Sequence, residues 1–283
     1  MRAIVQSGYG APEDVLSLQD IGVPQVRPGT VLVRVLAASL HPDIWHVVNG
    51  VPQVLRLMGA GLHKPKQRVP GTDLAGFVVA TGAGVTHFQP GEAVLGESVT
   101  RHQWQNGGAF AEYALVPESG LVLKPDNVTF EQAAAVPTSG IIALHSVGTA
   151  GRLSAGQRVL VNGAAGGVGM FSVLLAKAAG AEVTAVDRTH KLDMLRSIGA
   201  DAVIDYTQED FTQRGEQYDL IVDIPGNHPF SACRRALTPQ GKYVLVGHDN
   251  YDPSARRRLG SIPRFAGLAV RTPFSRNLPK LGL

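Results

Sequence analysis

One stretch limits the fold of this chain more than any other: Val159-Leu160-Val161-Asn162-Gly163-Ala164-Ala165-Gly166-Gly167-Val168-Gly169. A short apolar run enters glycines spaced by three, and the segment Val168 to Ala179 follows directly and stops at Gly180. That order reads as buried strand, tight turn and helix. Glycines in such a turn let the backbone approach a pyrophosphate, and the helix start offers free N–H groups and a favourable dipole. The spacing alone is a weak signal. Here a strand precedes it, a helix follows, and Glu182 to Val186 supplies a second strand. Gly163, Ala164, Gly166, Gly167, Val168 and Gly169 are therefore expected to line a dinucleotide.

The second strand ends at Asp187, 18 positions beyond Gly169, close to where an acidic residue meets an adenosine ribose. A carboxylate there favours NAD(H), because it accepts from ribose hydroxyls and repels a 2′-phosphate. Arg188, His190 and Lys191 follow, and their cations suit the phosphate of NADP(H). They also suit the exposed start of a helix. The expectation at this point is NAD(P), without a choice between the two.

The rest of the chain changes period near its middle. Up to about Lys124 it reads as short strands broken by Gly and Pro: Thr30 to Ser39, Gly76 to Ala83, Glu92 to Gly96 and Gly108 to Val116. This is the pattern of a small barrel or sandwich. From there helices and strands alternate. Thr129 to Val147 reads as a helix interrupted at Pro137-Thr138-Ser139-Gly140. Strands are expected at Arg158 to Asn162, Ala202 to Asp205, Tyr218 to Asp223 and Lys242 to Gly247. Helices are expected at Lys191 to Ile198 and Phe230 to Leu237. Alternation of this kind implies a parallel sheet with crossover helices. The expected architecture is α/β, with a β-rich domain over 1–124 and a doubly wound domain over 125–283.

Charge and cysteine content exclude several classes. The net charge is +3 and the pI about 9.1. The densest basic run is Arg256-Arg257-Arg258, which reads as solvated surface, so no nucleic-acid partner is expected. A lone cysteine, Cys233, makes neither an internal disulfide nor a cysteine-based zinc site. With no long apolar run, no membrane span or signal peptide is expected, and the chain reads as cytoplasmic.

Several segments together resemble one superfamily. They are Ala37-Ala38-Ser39-Leu40-His41-Pro42-Asp43, Pro70-Gly71-Thr72-Asp73-Leu74-Ala75-Gly76, Gly108-Ala109-Phe110-Ala111-Glu112-Tyr113, Ala134-Ala135-Val136-Pro137, the glycine turn, and Leu195-Arg196-Ser197-Ile198-Gly199-Ala200-Asp201. In this order they resemble the zinc-free, quinone-oxidoreductase-like branch of the medium-chain dehydrogenase/reductases. The resemblance reaches to about Gly247. It implies a GroES-like barrel domain followed by a Rossmann domain, an active site in the cleft between them, and hydride transfer between NAD(P) and a small carbonyl, enone or quinone. It also places Thr138 and Tyr206, with Asp187, Arg188 and Lys191, among the cofactor-binding residues. A homodimer is compatible with it.

The resemblance also bears on zinc. Zinc-dependent relatives carry cysteine where His41 stands, a His-Glu pair where Thr72-Asp73 stands, and a further cysteine near Thr138. Catalytic zinc needs three protein ligands and an open position, so no metal is expected here. Zinc-free relatives usually carry asparagine at His41, so this chain departs from its own branch. His41, Asp43 and His46 are the candidates for proton handling. Asp43 is also expected to orient the loop before a short helix, and His46 matches a relay histidine of some zinc relatives. His102 and Trp104 fall where the structural zinc loop of those relatives lies. The long relatives continue past a segment resembling Leu268 to Phe274 and return to complete the first domain. With the end at Leu283, an uncovered edge of that domain is expected, and with it a second reading: a nucleotide-binding sensor or partner subunit with little catalysis.

Overall fold

Alternating apolar residues dictate the first half. In the computed structural model, which describes residues 1–54, 56–99, 105–247 and 262–278, β1 (Arg2–Gln6) runs through a short helix α1 (Pro12–Val15) into β2 (Leu16–Asp20), its antiparallel partner. Five further strands make a second antiparallel sheet: β3 (Thr30–Ala38), β4 (Asp73–Thr81), β5 (Ala93–Glu97), β6 (Tyr113–Pro117) and β7 (Leu121–Leu123), in the order β6-β3-β4-β5-β7. Val31, Val33, Leu74, Val78, Val94 and Val116 form its core. Helix α2 (Pro42–Asn49) lies between β3 and β4 in the chain. Pro42 occupies its first turn, and Gly50, at φ +63°, ends it in the left-handed conformation that glycine tolerates.

Thr129 caps the next helix, α3 (Phe130–Ala134). Its hydroxyl accepts from the Gln132 N–H, and the Gln132 side chain reciprocates. Ala133 and Ala134 pack with Ala75 and Leu95 of the barrel sheet. The chain divides into two compact units between Thr138 and Ser139, within α4 (Pro137–Leu144). Residues 125–138 thus stand with the strands rather than with the second unit, because α3 buries its small apolar face on them.

The second unit is built from parallel strands buried on both faces. They are β8 (Arg158–Asn162), β9 (Glu182–Asp187), β10 (Ala202–Asp205), β11 (Tyr218–Asp223) and β12 (Leu237–Leu245), in the order β10-β9-β8-β11-β12. Side chains alternate between two cores, as the pleat requires. Val159, Val161, Val183, Ala185, Leu220 and Val222 face one side, with Val173 and Ala176 of α5 (Gly167–Ala178) and Leu195 of α6 (Leu192–Ser197). Leu160, Val186, Ile204 and Ile221 face the other, with Cys233 of α7 (Phe230–Arg235). Helix α8 (Ile262–Arg271) follows. The strand order reverses at β8, so the carboxyl ends of β8 and β11 flank the switch point where such sheets bind ligands. No helix among the described residues is long and apolar enough to cross a membrane.

Three local expectations shift. The strand expected over Gly108 to Val116 starts only at Tyr113. Gly108 sits at φ +89°, and the N–H groups of Gly107 to Phe110 bond to carbonyls of Val69, Pro70 and Gly71 instead of to a ladder. The helix interruption falls at Ala135–Val136, because proline suits a helix start and disfavours helical backbone just before it. Asp43 lies inside the first turn of α2 rather than ahead of it. His102, Trp104 and the Arg256-Arg257-Arg258 run lie outside the described residues.

A buried carboxylate ties the strand ends together. Asp223, fully buried at the end of β11, accepts from Asn162 Nδ2 at 2.9 Å, the Gly226 N–H at 3.0 Å and the Tyr243 hydroxyl at 2.7 Å. Burial, then the nearby Asp223 charge, holds the Tyr243 hydroxyl well above its ordinary titration range. Tyr243→Phe removes one charge-assisted bond and should cost about 1.5–3 kcal/mol. Asp223→Ala takes an acceptor from the Gly226 N–H, the Tyr243 hydroxyl and Asn162 Nδ2, of which Asn162 keeps Asn227 Oδ1, and should cost more. Urea unfolding of the two variants checks the order.

Candidate active site

The three glycines of the turn serve three different purposes. Gly163 has φ +80°, and a Cβ there would meet Pro225 Cδ at 2.9 Å. A Cβ on Gly169 would collide with the Gly163 and Ala164 carbonyl oxygens, so this glycine lets α5 press against the turn. Gly166 differs. Its φ is −82°, and an added Cβ would meet only the Gly163 oxygen, at 3.6 Å. Among the described residues nothing forbids a side chain there, so the open space suits a ligand. At Gly167 an added Cβ would lie 2.7 Å from Ser139 Oγ, which brings a hydroxyl to the start of α5.

The turn's own N–H groups are already matched. Gly163 and Ala164 donate to Val186 O, each at 3.0 Å, Ala165 donates to Asp187 Oδ2 at 2.9 Å, and Gly166 donates to Gly163 O at 3.2 Å. The donors left for an anion are those of the first turn of α5 at Gly167, Val168 and Gly169, which have no intrahelical acceptor. A dinucleotide pyrophosphate fits this cradle.

At the expected ribose end, Asp187 is buried at the close of β9. Its Oδ1 accepts the Arg188 N–H at 2.9 Å and stands 3.6 Å from Lys191 Nζ. The carboxylate therefore anchors the glycine turn to the end of β9. Arg188 Nε donates to the Tyr206 hydroxyl, and both side chains are exposed. This pairing holds the guanidinium at the surface near Asp187.

In the first unit a buried polar cluster gathers residues far apart in sequence. His41 Nε2 lies 2.7 Å from Thr72 Oγ1, which donates to Asp73 Oδ1 at 3.0 Å. The Thr138 N–H reaches Asp73 Oδ2 at 2.9 Å, and its hydroxyl lies 2.6 Å from Asp73 Oδ1 and 2.9 Å from Glu97 Oε1. Ser39 Oγ adds a longer bond to Asp73 Oδ2 at 3.3 Å. Asp43 Oδ2 stands 3.8 Å from His41 Nδ1. His46 is buried in α2 with its Nδ1 2.8 Å from Val51 O. Burial raises the Glu97 carboxyl above its ordinary range, and the charges of Asp73 and Asp43 push the same way. Motif reading missed Glu97 altogether. The signal for it is tertiary, because β4–β5 pairing sets Asp73 directly opposite Glu97.

Comparison with known proteins decides the family. Residues 27–126 match the alcohol dehydrogenase GroES-like domain, and residues 167–270 match a domain described as zinc-binding dehydrogenase. The chain is 33% identical over 253 residues to a chloroplastic quinone-oxidoreductase homolog of Spinacia oleracea, covering 86% of this chain and 74% of that one. It is 37% identical over 234 residues to a chloroplastic NADPH-dependent alkenal/one oxidoreductase of Arabidopsis thaliana, covering 80% and 58%. Among solved structures, an NAD-dependent alcohol dehydrogenase superposes with a TM-score of 0.75 at 28% identity, covering 99% of this chain and 91% of that one. The chain belongs to the quinone-oxidoreductase-like medium-chain dehydrogenase/reductases.

It is accordingly an NAD(P)-dependent oxidoreductase with a GroES-like barrel and a Rossmann sheet. The zinc-binding description matches only residues 167–270, and none of His41, Thr72, Asp73 and Thr138 lies in that span. In this member of the family those four positions meet in one hydrogen-bonded cluster.

Two predictions follow from the cradle. Gly166→Ala should unfold like the parent yet lose about tenfold or more in affinity for NADH and NADPH alike, about 1.4 kcal/mol at 25 °C. Gly163→Ala should instead lose stability, because its φ excludes a Cβ at low cost. Thermal unfolding and cofactor titration separate the two. At the ribose end, Asp187→Ala should weaken both cofactors by freeing the Ala165 N–H, whereas Arg188→Ala should weaken NADPH alone. The ratio of the two dissociation constants in each variant checks this.

Proposed function

We propose that the protein reduces a small conjugated carbonyl or a quinone without a metal, using NAD(P)H. The observation that carries this reading is the cluster at the positions where zinc relatives hold their metal. Two of its members are threonines, His41 Nε2 is engaged by Thr72, and both Asp73 oxygens already accept hydrogen bonds. A side-chain set so matched offers a cation too few lone pairs. Without a Lewis acid an isolated carbonyl is poorly polarised. A conjugated acceptor is different, because hydride adds to carbon while charge spreads to oxygen. The relatives named quinone oxidoreductase and alkenal/one oxidoreductase support the same class.

NAD(P)H, when bound, supplies the hydride. Gly166 leaves room for its phosphates, the first turn of α5 offers N–H donors to them, and Asp187, Arg188, Lys191 and Tyr206 form the ribose end. The reaction also consumes one proton. His41 is the residue proposed to exchange it, at Nδ1, with Asp43 beside the ring. His46, bonded to Val51 O, is assigned to holding α2. A catalytically silent sensor role is not favoured, since these relatives are named for reactions. A homodimer in the cytoplasm remains part of the proposal, tested by light scattering and by localisation of a tagged chain.

Oxidation of NADPH and NADH, followed optically with a panel of enones, quinones and simple ketones, tests the reaction. Turnover is expected with enones or quinones and little with unconjugated ketones, unaffected by chelators. Tightly held zinc at one per chain, with activity lost on chelation, would overturn the metal-free reading.

A further inference from the structure

Asp73 and Glu97 are direct cross-strand partners on β4 and β5, so both carboxyl groups leave the sheet on one face. Two ionised carboxylates in that relation repel each other. Here a single hydroxyl, that of Thr138, lies within hydrogen-bond distance of both. A hydroxyl has one proton to donate. One carboxyl can receive it fully, and the other is matched at this contact only if it brings a proton of its own.

The remaining partners decide which. Asp73 also gathers the Thr138 N–H, the Thr72 hydroxyl and the Ser39 hydroxyl. Among the described residues, Thr138 is the one hydrogen-bond partner of the Glu97 side chain. The anion therefore sits on Asp73, which takes the Thr138 proton across the shorter 2.6 Å contact. Glu97 is the acid and donates to Thr138 Oγ1. The groups facing Glu97 agree with this. Burial and the charges of Asp73 and Asp43 all disfavour its ionised form, and the one opposing group, the Thr138 hydroxyl, has its proton directed to Asp73.

The order of donors continues to His41. With the Thr72 proton on Asp73, the Thr72 oxygen accepts, and His41 must present Nε2–H to it. Its Nδ1 is then left as a bare lone pair. That atom is buried and has no hydrogen-bond partner among the described residues. We propose that Glu97 is a positioning residue: as a carboxylic acid it orders the Thr138–Asp73–Thr72 chain and so holds His41 in the Nε2–H tautomer, with Nδ1 free to exchange a proton. This rests on the reading of His41 given above. When Glu97 ionises, two carboxylates compete for the single Thr138 proton, and the order that fixes the ring weakens.

The test uses Glu97→Gln, whose amide N–H₂ can donate to Thr138 as the acid does but cannot ionise. In ¹⁵N spectra of labelled histidine, the parent at pH below the titration of Glu97 should show His41 with a protonated Nε2 and a bare Nδ1, and this pattern should change as pH rises through that titration. E97Q should hold the pattern through that range. Stability gives a second readout. The native state binds the Glu97 proton more tightly than the unfolded chain does, so parent stability should fall as pH rises through the raised range, and E97Q should lack that slope. With an enone acceptor, Glu97→Ala should lower kcat, E97Q should recover part of it, and kcat of E97Q should lack the decline that the parent shows as pH rises through the titration of Glu97. An Nδ1–H tautomer in the parent below the titration of Glu97, or identical pH courses for the parent and E97Q, would overturn the proposal. If the spectra behave as expected but no acceptor is reduced, the reductase reading fails while the assignment of Glu97 stands.

Discussion

The Val186 carbonyl at the end of β9 accepts the N–H groups of both Gly163 and Ala164. With the Asp187 carboxylate on the Ala165 N–H, it fastens the turn after β8 to the neighbouring strand. The nucleotide end of the second unit depends on this closure. It bends the chain sharply enough for α5 to start beside the strand ends, and only then do its first N–H groups converge on an anion. The cradle in turn requires β8 and β9 to run parallel and in register, which the two buried faces of the sheet enforce. Truncating a fully buried leucine such as Leu160 would typically cost about 2–5 kcal/mol. A few such residues therefore hold the geometry of the whole turn.

The first unit solves a different problem. It buries a histidine, two threonines and an aspartate in one place, and buried polar groups are tolerated only when their partners are complete. The cluster meets that demand at its oxygens, each with a defined direction of donation, and leaves His41 Nδ1 as a buried atom without a hydrogen-bond partner among the described residues. A half-satisfied network would cost more than an apolar core. The strict ordering is what makes the state of one carboxyl, Glu97, matter to a ring four hydrogen bonds away.

Reading by residue type succeeds where the signal is local. Strand β11 and the cluster of glycines around α5 are visible because an apolar run and a glycine spacing are properties of adjacent residues. It does less well where a residue's setting depends on a distant partner. The Gly108 to Glu112 stretch alternates like a strand, yet the N–H groups of Gly108 to Phe110 bond to the Val69 to Gly71 carbonyls instead. Asp187 reads as a ribose ligand, and its second task, holding Ala165, shows only once the turn has folded back on it.

By itself the sequence determined the two-part α/β architecture and the glycine turn between β8 and α5, since each is written in spacing or residue type, while the reading of His41, Thr72 and Thr138 against zinc relatives came from the resemblance. The tertiary structure alone decided that Gly166 is the glycine of the turn with open space beside it, that residues 125–138 stand with the first unit, and that Glu97 meets Asp73 through Thr138. Asp73 and Glu97 lie on separate strands, and Thr138 comes from a helix later in the chain. Strand register and the packing of α3 bring them together, and no pattern among neighbouring residues encodes such a meeting.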